Sequence, residues 1–206
     1  MKDTKNKKFW DRMAFLYAPF QERGNRALYQ NLCKRIADGL PAQSDVLELA
    51  CGSGQLSLPL CQQFRKWEAT DYSANMVAQA KRRARGLPVT FAVQDATALT
   101  YSDASWDAVV AANMLHIMPD PAAALAEIRR VLKPGGTLVA ATFVYDEHFD
   151  PKKMAPLERL GFKTYYKWTA SEFAQYVHAH GFEIRVNDLL PGNGLSECLF
   201  FCEVSA

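Results

Sequence analysis

From Val46 onward, short apolar runs alternate with amphipathic stretches, and this alternation constrains the fold more than any other feature of the chain. Val46 to Ala50, "WEAT", "VTFAVQ", "WDAVVAAN" and "TLVAATF" read as strands, with helices predicted from about Gly54, from Ser73 and from Asp120. Strands joined through helices run parallel, and a parallel sheet needs helices on both faces to cover it. The boundaries agree: Asp120 is placed to cap its helix, Pro121 suits the first helical position, and "KPGG" stops the helix before the next strand.

Two helices are expected before this alternation. Trp10, Met13, Ala14 and Tyr17 recur at helical spacing, and a second helix from about Arg23 to Gly39 carries Leu28, Leu32 and Ile36 on one face before Pro41 ends it. After it, residues 143 to 168 are too long for a plain connection and rich in aromatics, as functional loops often are. A last helix, Thr169 to His180, precedes "FEIRVNDLL" and "LSECLFFCEV", which flank "PGNG" in the pattern of an antiparallel hairpin. With 206 residues, 49% of them hydrophobic, the chain is expected to be one domain, 1–206. Within it fall a helical segment at 1–40, a ligand-binding core at 45–143 and a substrate-side insertion at 144–168.

Composition excludes some functions. A net charge of +2 is too small to argue for nucleic acid or an anionic membrane, and the basic run "KRRAR" at 81 to 85 falls at a helix C-terminus, where cations suit the dipole. The five cysteines form no Cys-x-x-Cys pair or Cys/His cluster, so no metal is expected. The polar start "MKDTKNKKFW" and the lack of any apolar run of about 20 residues predict a cytoplasmic protein without membrane insertion.

The chemistry concentrates at "ELACGSGQ", residues 48 to 55, at the first strand-to-helix turn, where open parallel sheets bind ligands. Gly52 and Gly54 let the backbone pass close to a ligand, and the following helix N-terminus suits a phosphate or a carboxylate equally. Glu48 would repel a pyrophosphate but welcome an ammonium group. Asp71, closing the second strand, stands where an acid accepts from ribose hydroxyls. Asp95, after the third strand, could accept from an adenine amino group while the Ala96 N–H reaches a ring nitrogen. These acids together describe a ligand with an amino acid end, a ribose and an adenine.

That ligand is S-adenosylmethionine, and "VLELACGSGQLS", "ATDYSANMV", "FAVQDATAL", "WDAVVAANMLHIMPDP" and "IRRVLKPGGTLVAATF" resemble the class I methyltransferase family in order and spacing over residues 45 to 143. The resemblance implies an α/β fold: a seven-stranded, mostly parallel sheet with an antiparallel last strand, helices on both faces and an N-terminal helical lid. It also implies that Ala50, Gly52 and Gly54 form the cofactor turn, that Asp71 holds the ribose, that Tyr72 and Met76 flank the adenine, and that Asp95 with Ala96 reads its edge. Asn113 would line the floor below the methionine portion. Each has a plainer reading: Tyr72 and Met76 as core, Asn113 as a strand end satisfying local backbone groups. Position 57, where a dinucleotide fold keeps its third glycine, is Ser57, which disfavours a nicotinamide dehydrogenase.

His116, after the fourth strand, is a candidate general base, or else a structural histidine bonded within its loop. Tyr17 in the N-terminal segment is a candidate cofactor contact. Tyr145, His148, Tyr165 and Tyr166 in the insertion could meet substrate. The expected function is methyl transfer from S-adenosylmethionine to a small acceptor, aromatic or lipophilic, in the manner of the ubiquinone and menaquinone biosynthesis type, which "FWDRMAFLYAPF" and "LKPGG" resemble. The rival readings are a cofactor-binding protein without transferase activity and a methyltransferase acting on a macromolecule.

Overall fold

The computed structural model describes residues 6, 8–14, 26–146, 149, 152, 155, 158–192 and 196–205. Helix α1 (Arg26–Gly39) buries Leu28, Leu32 and Ile36, the face that the four-residue spacing predicts. It ends against the sheet so closely that a Cβ on Gly39 would lie 2.3 Å from the Phe201 ring, so glycine is required there for packing.

The strands β1 (Asp45–Leu49), β2 (Lys66–Asp71), β3 (Thr90–Val93), β4 (Trp106–Ala112), β5 (Leu132–Val144), β6 (Phe182–Leu190) and β7 (Ser196–Val204) form one sheet in the order β3-β2-β1-β4-β5-β7-β6. The first five strands pair in parallel, and β7 enters antiparallel between β5 and β6. The expected seven-stranded sheet with an antiparallel last strand is therefore present. Strand order reverses between β1 and β4, which opens a crevice beyond their C-terminal ends.

Helices cover both faces. One core packs Leu125, Ile128, Phe173 and Val177, from helices α4 (Pro121–Val131) and α5 (Ala170–Ala179), against Val109, Leu138 and Phe200. The other packs α1 with Leu56 and Leu60 against Val46, Trp67 and Val110. Local chemistry fixes the helix starts. Asp120 accepts from the Ala123 N–H at 3.0 Å with Pro121 at the first position, and Thr169 and Glu172 cap α5 reciprocally.

Two expectations about local structure change. No helix begins at Gly54, whose φ of +89° is left-handed; the chain turns through 52–56, and helix α2 (Ser57–Leu60) runs one turn before a 3-10 turn at Cys61–Gln63. "KPGG" is a bulge inside β5 rather than a turn before it. Leu132 already pairs with Trp106, and pairing resumes at Thr137 opposite Ala108, with Gly135 at φ +73° absorbing the extra residues.

Residues 8–14 are helical and bury Phe9 and Ala14. The Phe9 and Trp10 rings pack on Phe162, with centroids 5.5 Å and 5.6 Å away. Among the described residues no helix is long and apolar enough to cross a membrane.

Candidate active site

A cavity of about 440 Å³ opens at the β1/β4 crevice, within the range of about 300–1,000 Å³ usual for small-molecule sites. It is lined by ten of the residues singled out in the sequence: Glu48, Ala50, Gly52, Asp71, Tyr72, Met76, Asp95, Ala96, Asn113 and, from the N-terminal segment, Trp10. Gly54 does not line it but shapes the turn, its N–H donating to the Cys51 carbonyl at 2.9 Å. Tyr17 and His148 lie outside the described residues.

The turn after β1 is held from β2. The Cys51 N–H donates to the Thr70 carbonyl at 2.8 Å, and the Gly52 N–H donates to Asp71 Oδ2 at 2.9 Å. Asp71 Oδ1 accepts from the Ser73 N–H at 2.8 Å, so one carboxylate joins the glycine turn to the start of α3 (Ala74–Arg83). Arg83, from the basic run at the end of α3, donates to the Ser53 carbonyl at 2.8 Å. Ala50 and Gly52 adopt left-handed φ values of 53° and 55°. A non-glycine residue in that region carries a conformational cost, tolerated here by the surrounding bonds.

Glu48 is only 2% exposed. Its Oε2 accepts from Ser57 Oγ at 2.5 Å and from Trp67 Nε1 at 2.9 Å. Burial pushes its pKa up to about 7, Asp71 adds to the rise, and the two hydrogen bonds oppose it. Ser57, at the place of the missing third glycine, thus serves to orient this acid.

Beyond β3, Asp95 Oδ1 accepts from the Thr97 N–H and hydroxyl at 3.0 Å and 2.7 Å, which fixes the loop that carries Ala96. Met76 is 1% exposed and also lines the cavity, so its core and contact readings coexist. Beyond β4, Asn113 turns the chain at φ +56°, and its Nδ2 donates to Glu197 Oε1 on β7 at 2.9 Å.

His116 is buried, does not line the cavity, and bonds Thr142 Oγ1 through Nδ1 at 2.8 Å. Burial pulls its pKa down to about 4. Its carbonyl accepts from the Tyr165 and Tyr166 N–H groups at 2.9 Å and 3.1 Å, which draws the insertion onto the turn after β4. The insertion aromatics are otherwise engaged. Tyr166 stacks on Trp168 at 4.7 Å, Lys163 covers Tyr165, and neither tyrosine nor Tyr145 lines the cavity.

The N-terminal segment supplies the covering surface. Asp11 accepts from Ser73 Oγ at 2.5 Å, and its carbonyl accepts from Asn75 Nδ2 at 3.1 Å, which docks residues 8–14 on the start of α3. Asn6 Nδ2 donates to the Ile117 and Lys163 carbonyls at 2.7 Å and 2.9 Å, while its Oδ1 accepts from the Lys163 N–H at 3.0 Å. Asn6, Tyr29 and Glu197 were not singled out in the sequence. For Glu197 one signal existed, a lone acid near the start of the otherwise apolar run "LSECLFFC".

Residues 46–136 match the family model of a methyltransferase domain. The chain is 36% identical over 103 residues to a ubiquinone/menaquinone biosynthesis C-methyltransferase of Desulfotalea psychrophila, covering 49% of this chain and 42% of that protein. It is 38% identical over 120 residues to a demethylmenaquinone methyltransferase of Renibacterium salmoninarum, covering 58% and 49%. The chain thus spans less than half the length of these relatives. Among solved structures, the magnesium protoporphyrin IX methyltransferase of Synechocystis PCC 6803 with bound S-adenosylhomocysteine superposes with a TM-score of 0.68 at 19% identity, over 87% of this chain and 83% of that one. Identity at that level speaks for a common fold.

Proposed function

We propose that this protein, whose residues 46–136 form a class I methyltransferase domain, transfers the methyl group of S-adenosylmethionine to a small, flat, lipophilic acceptor. The observation that carries the reading is one cavity that brings together acids from three strand ends: Glu48 near the end of β1, Asp71 at the end of β2 and Asp95 after β3. That spacing suits a ligand presenting an ammonium, a ribose and an adenine in turn. Two buried carboxyls beside or behind the cavity, Glu48 and Glu197, have no cationic partner among the described residues, which suits a ligand that brings positive charge.

The sulfonium supplies an activated methyl group, so the chain's own work is alignment and exclusion of water, worth up to about 7–11 kcal/mol in favourable cases. Asp71 orients the ribose while bracing the glycine turn. Glu48, steered by Ser57 and Trp67, takes the amino acid end. Trp10, Met114, Ile117 and Met118 give the rest of the cavity an apolar wall against which a planar acceptor packs. The named quinone methyltransferases support an acceptor of that class and transfer to carbon. His116, bonded to Thr142 and outside the cavity lining, is read as holding the turn after β4 rather than as the base.

Calorimetric titration of S-adenosylmethionine into the wild type and Asp71→Asn tests the cofactor half of this reading. Wild-type binding in the micromolar range, weakened about 100-fold in the variant, is expected from the loss of charge at the ribose. Absence of binding to folded wild type overturns the reading. Formation of S-adenosylhomocysteine with a reduced naphthoquinone acceptor tests the other half, and binding without turnover across a panel of such acceptors leaves a cofactor-binding protein in its place.

A further inference from the structure

Glu197 is the least expected residue of the molecule. It is 0% exposed on β7, the strand inserted between β5 and β6, opposite Phe143 on one side and Leu190 on the other. A carboxyl costs several kcal/mol to bury without a charged partner, and an aliphatic residue would fill a strand interior at no such cost. Among the described residues its carboxyl has one hydrogen bond, from Asn113 Nδ2, and its Oε2 has no partner. Burial raises its pKa to about 8, and the Asn113 bond opposes that rise.

The other end of this bond belongs to the cavity. Asn113 terminates β4 in the left-handed region, its N–H held by the Ala141 carbonyl at 2.8 Å, and it lines the cavity. Glu197 thus holds the side chain of a cavity-lining residue from behind, and Asn113 Oδ1 is shielded from solvent with no partner among the described residues, so the amide is fixed by this one bond. The part of the ligand assigned above to the end of β4 is the amino acid end.

We propose that Glu197 is a positioning residue for the cofactor: by accepting from the Asn113 amide it fixes the left-handed end of β4, against which the ligand's amino acid end is placed. The inference rests on the cofactor reading above. It explains why a polar pair bridges β4 and β7 beneath the cavity, and why the group on β7 is an acceptor.

The test compares two ligands that differ in the relevant part. S-adenosylhomocysteine carries the amino acid end, and 5′-methylthioadenosine lacks it but keeps the adenine and ribose. Affinities for both are measured calorimetrically in wild type, Glu197→Leu, Glu197→Gln and Asn113→Gly, the last chosen because glycine tolerates the left-handed φ. Glu197→Leu is expected to weaken S-adenosylhomocysteine about 10-fold and to leave 5′-methylthioadenosine within twofold. Glu197→Gln, which keeps an acceptor oxygen, is expected to stay within threefold of wild type for both.

Asn113→Gly is expected to repeat the selective loss, and adding Glu197→Leu to it to cost nothing further. Equal losses for the two ligands in either single variant would mean a merely structural role and overturn the proposal, as would unchanged affinity for S-adenosylhomocysteine. If Glu197→Leu does not fold, Glu197→Met, another apolar residue without an acceptor oxygen, takes its place alone and in the double variant. Wild type that binds neither ligand sinks the cofactor reading and this inference with it, whereas wild type that binds both, with no selective loss in the variants, sinks this inference alone.

Discussion

The cavity has two left-handed corners made by residues other than glycine, and they are built in opposite ways. At the end of β1, Ala50 (φ 53°) is held by its neighbours: backbone bonds from Cys51 and Gly52 tie the turn to Thr70 and Asp71 on the adjacent strand. At the end of β4, Asn113 (φ 56°) has a backbone bond to Ala141 on β5 and is held in addition through its side chain by Glu197, 84 residues away on β7. The first corner is fixed by the parallel half of the sheet itself. The second depends on the antiparallel strand being in register, so it is completed only when the C-terminal hairpin has docked.

The largest effect that sharpens this contrast is expected at the second corner. Below about pH 4.5 Glu197 is protonated in both folded and unfolded chains; between 4.5 and about 8 only the folded chain holds the proton, so its contribution to stability falls as pH rises through that window. Glu197→Gln removes this dependence. Chemical denaturation is expected to show the variant gaining on wild type by roughly 2–4 kcal/mol between pH 4.5 and 9. A constant difference across that range would mean that Glu197 ionises in the fold as it does in the unfolded chain.

His116, in the turn that follows Asn113, gives a smaller effect of opposite sign. Burial lowers its pKa from 6.5 to about 4, so between those values only the unfolded chain takes the proton, and stability is lost as pH falls from 6.5 toward 4. His116→Gln should abolish this acid-side loss, up to about 3 kcal/mol, while changing kcat less than about fivefold at pH 7.5. A much larger fall in kcat, with KM preserved, would restore the histidine as a base.

The smallest effect belongs to the first corner. Ala50→Gly relieves a left-handed alanine and is expected to raise stability by roughly 0.5–1 kcal/mol in thermal unfolding, less any entropy glycine gains in the unfolded chain. A loss of stability there would show that the corner is governed by the Ala50 methyl packing rather than by its backbone.

The same contrast explains what the sequence disclosed. Gly52 and Asp71 meet across adjacent parallel strands, and the strand-helix alternation already makes β1 and β2 neighbours, so the geometry of the β1 corner was legible. Asp120 was legible as a cap because a cap acts within its own turn. Gly54 misled the helix boundary, since a glycine looks alike at a helix start and in the turn before one. Glu197 and Asn6 were missed because their partners are distant in the chain, Asn113 for the first and Ile117 and Lys163 for the second. The insertion's tyrosines drew attention as exposed aromatics, but Tyr166 packs with Trp168 and Tyr176 at the edge of the core.

The Asn6 clasp bears on how a fold of this kind can vary. The residues proposed to cradle the cofactor fall within 46–136, whereas Asn6, Trp10 and Tyr29, which line the same cavity, precede that block, and Lys163, to which Asn6 bonds, follows it. One amide side chain thus joins two flanking pieces of chain over a common floor. On the proposed reading, selection can rewrite the roof, and with it the choice of acceptor, by altering the flanking sequence, while the proposed cradle for the methyl donor is left untouched.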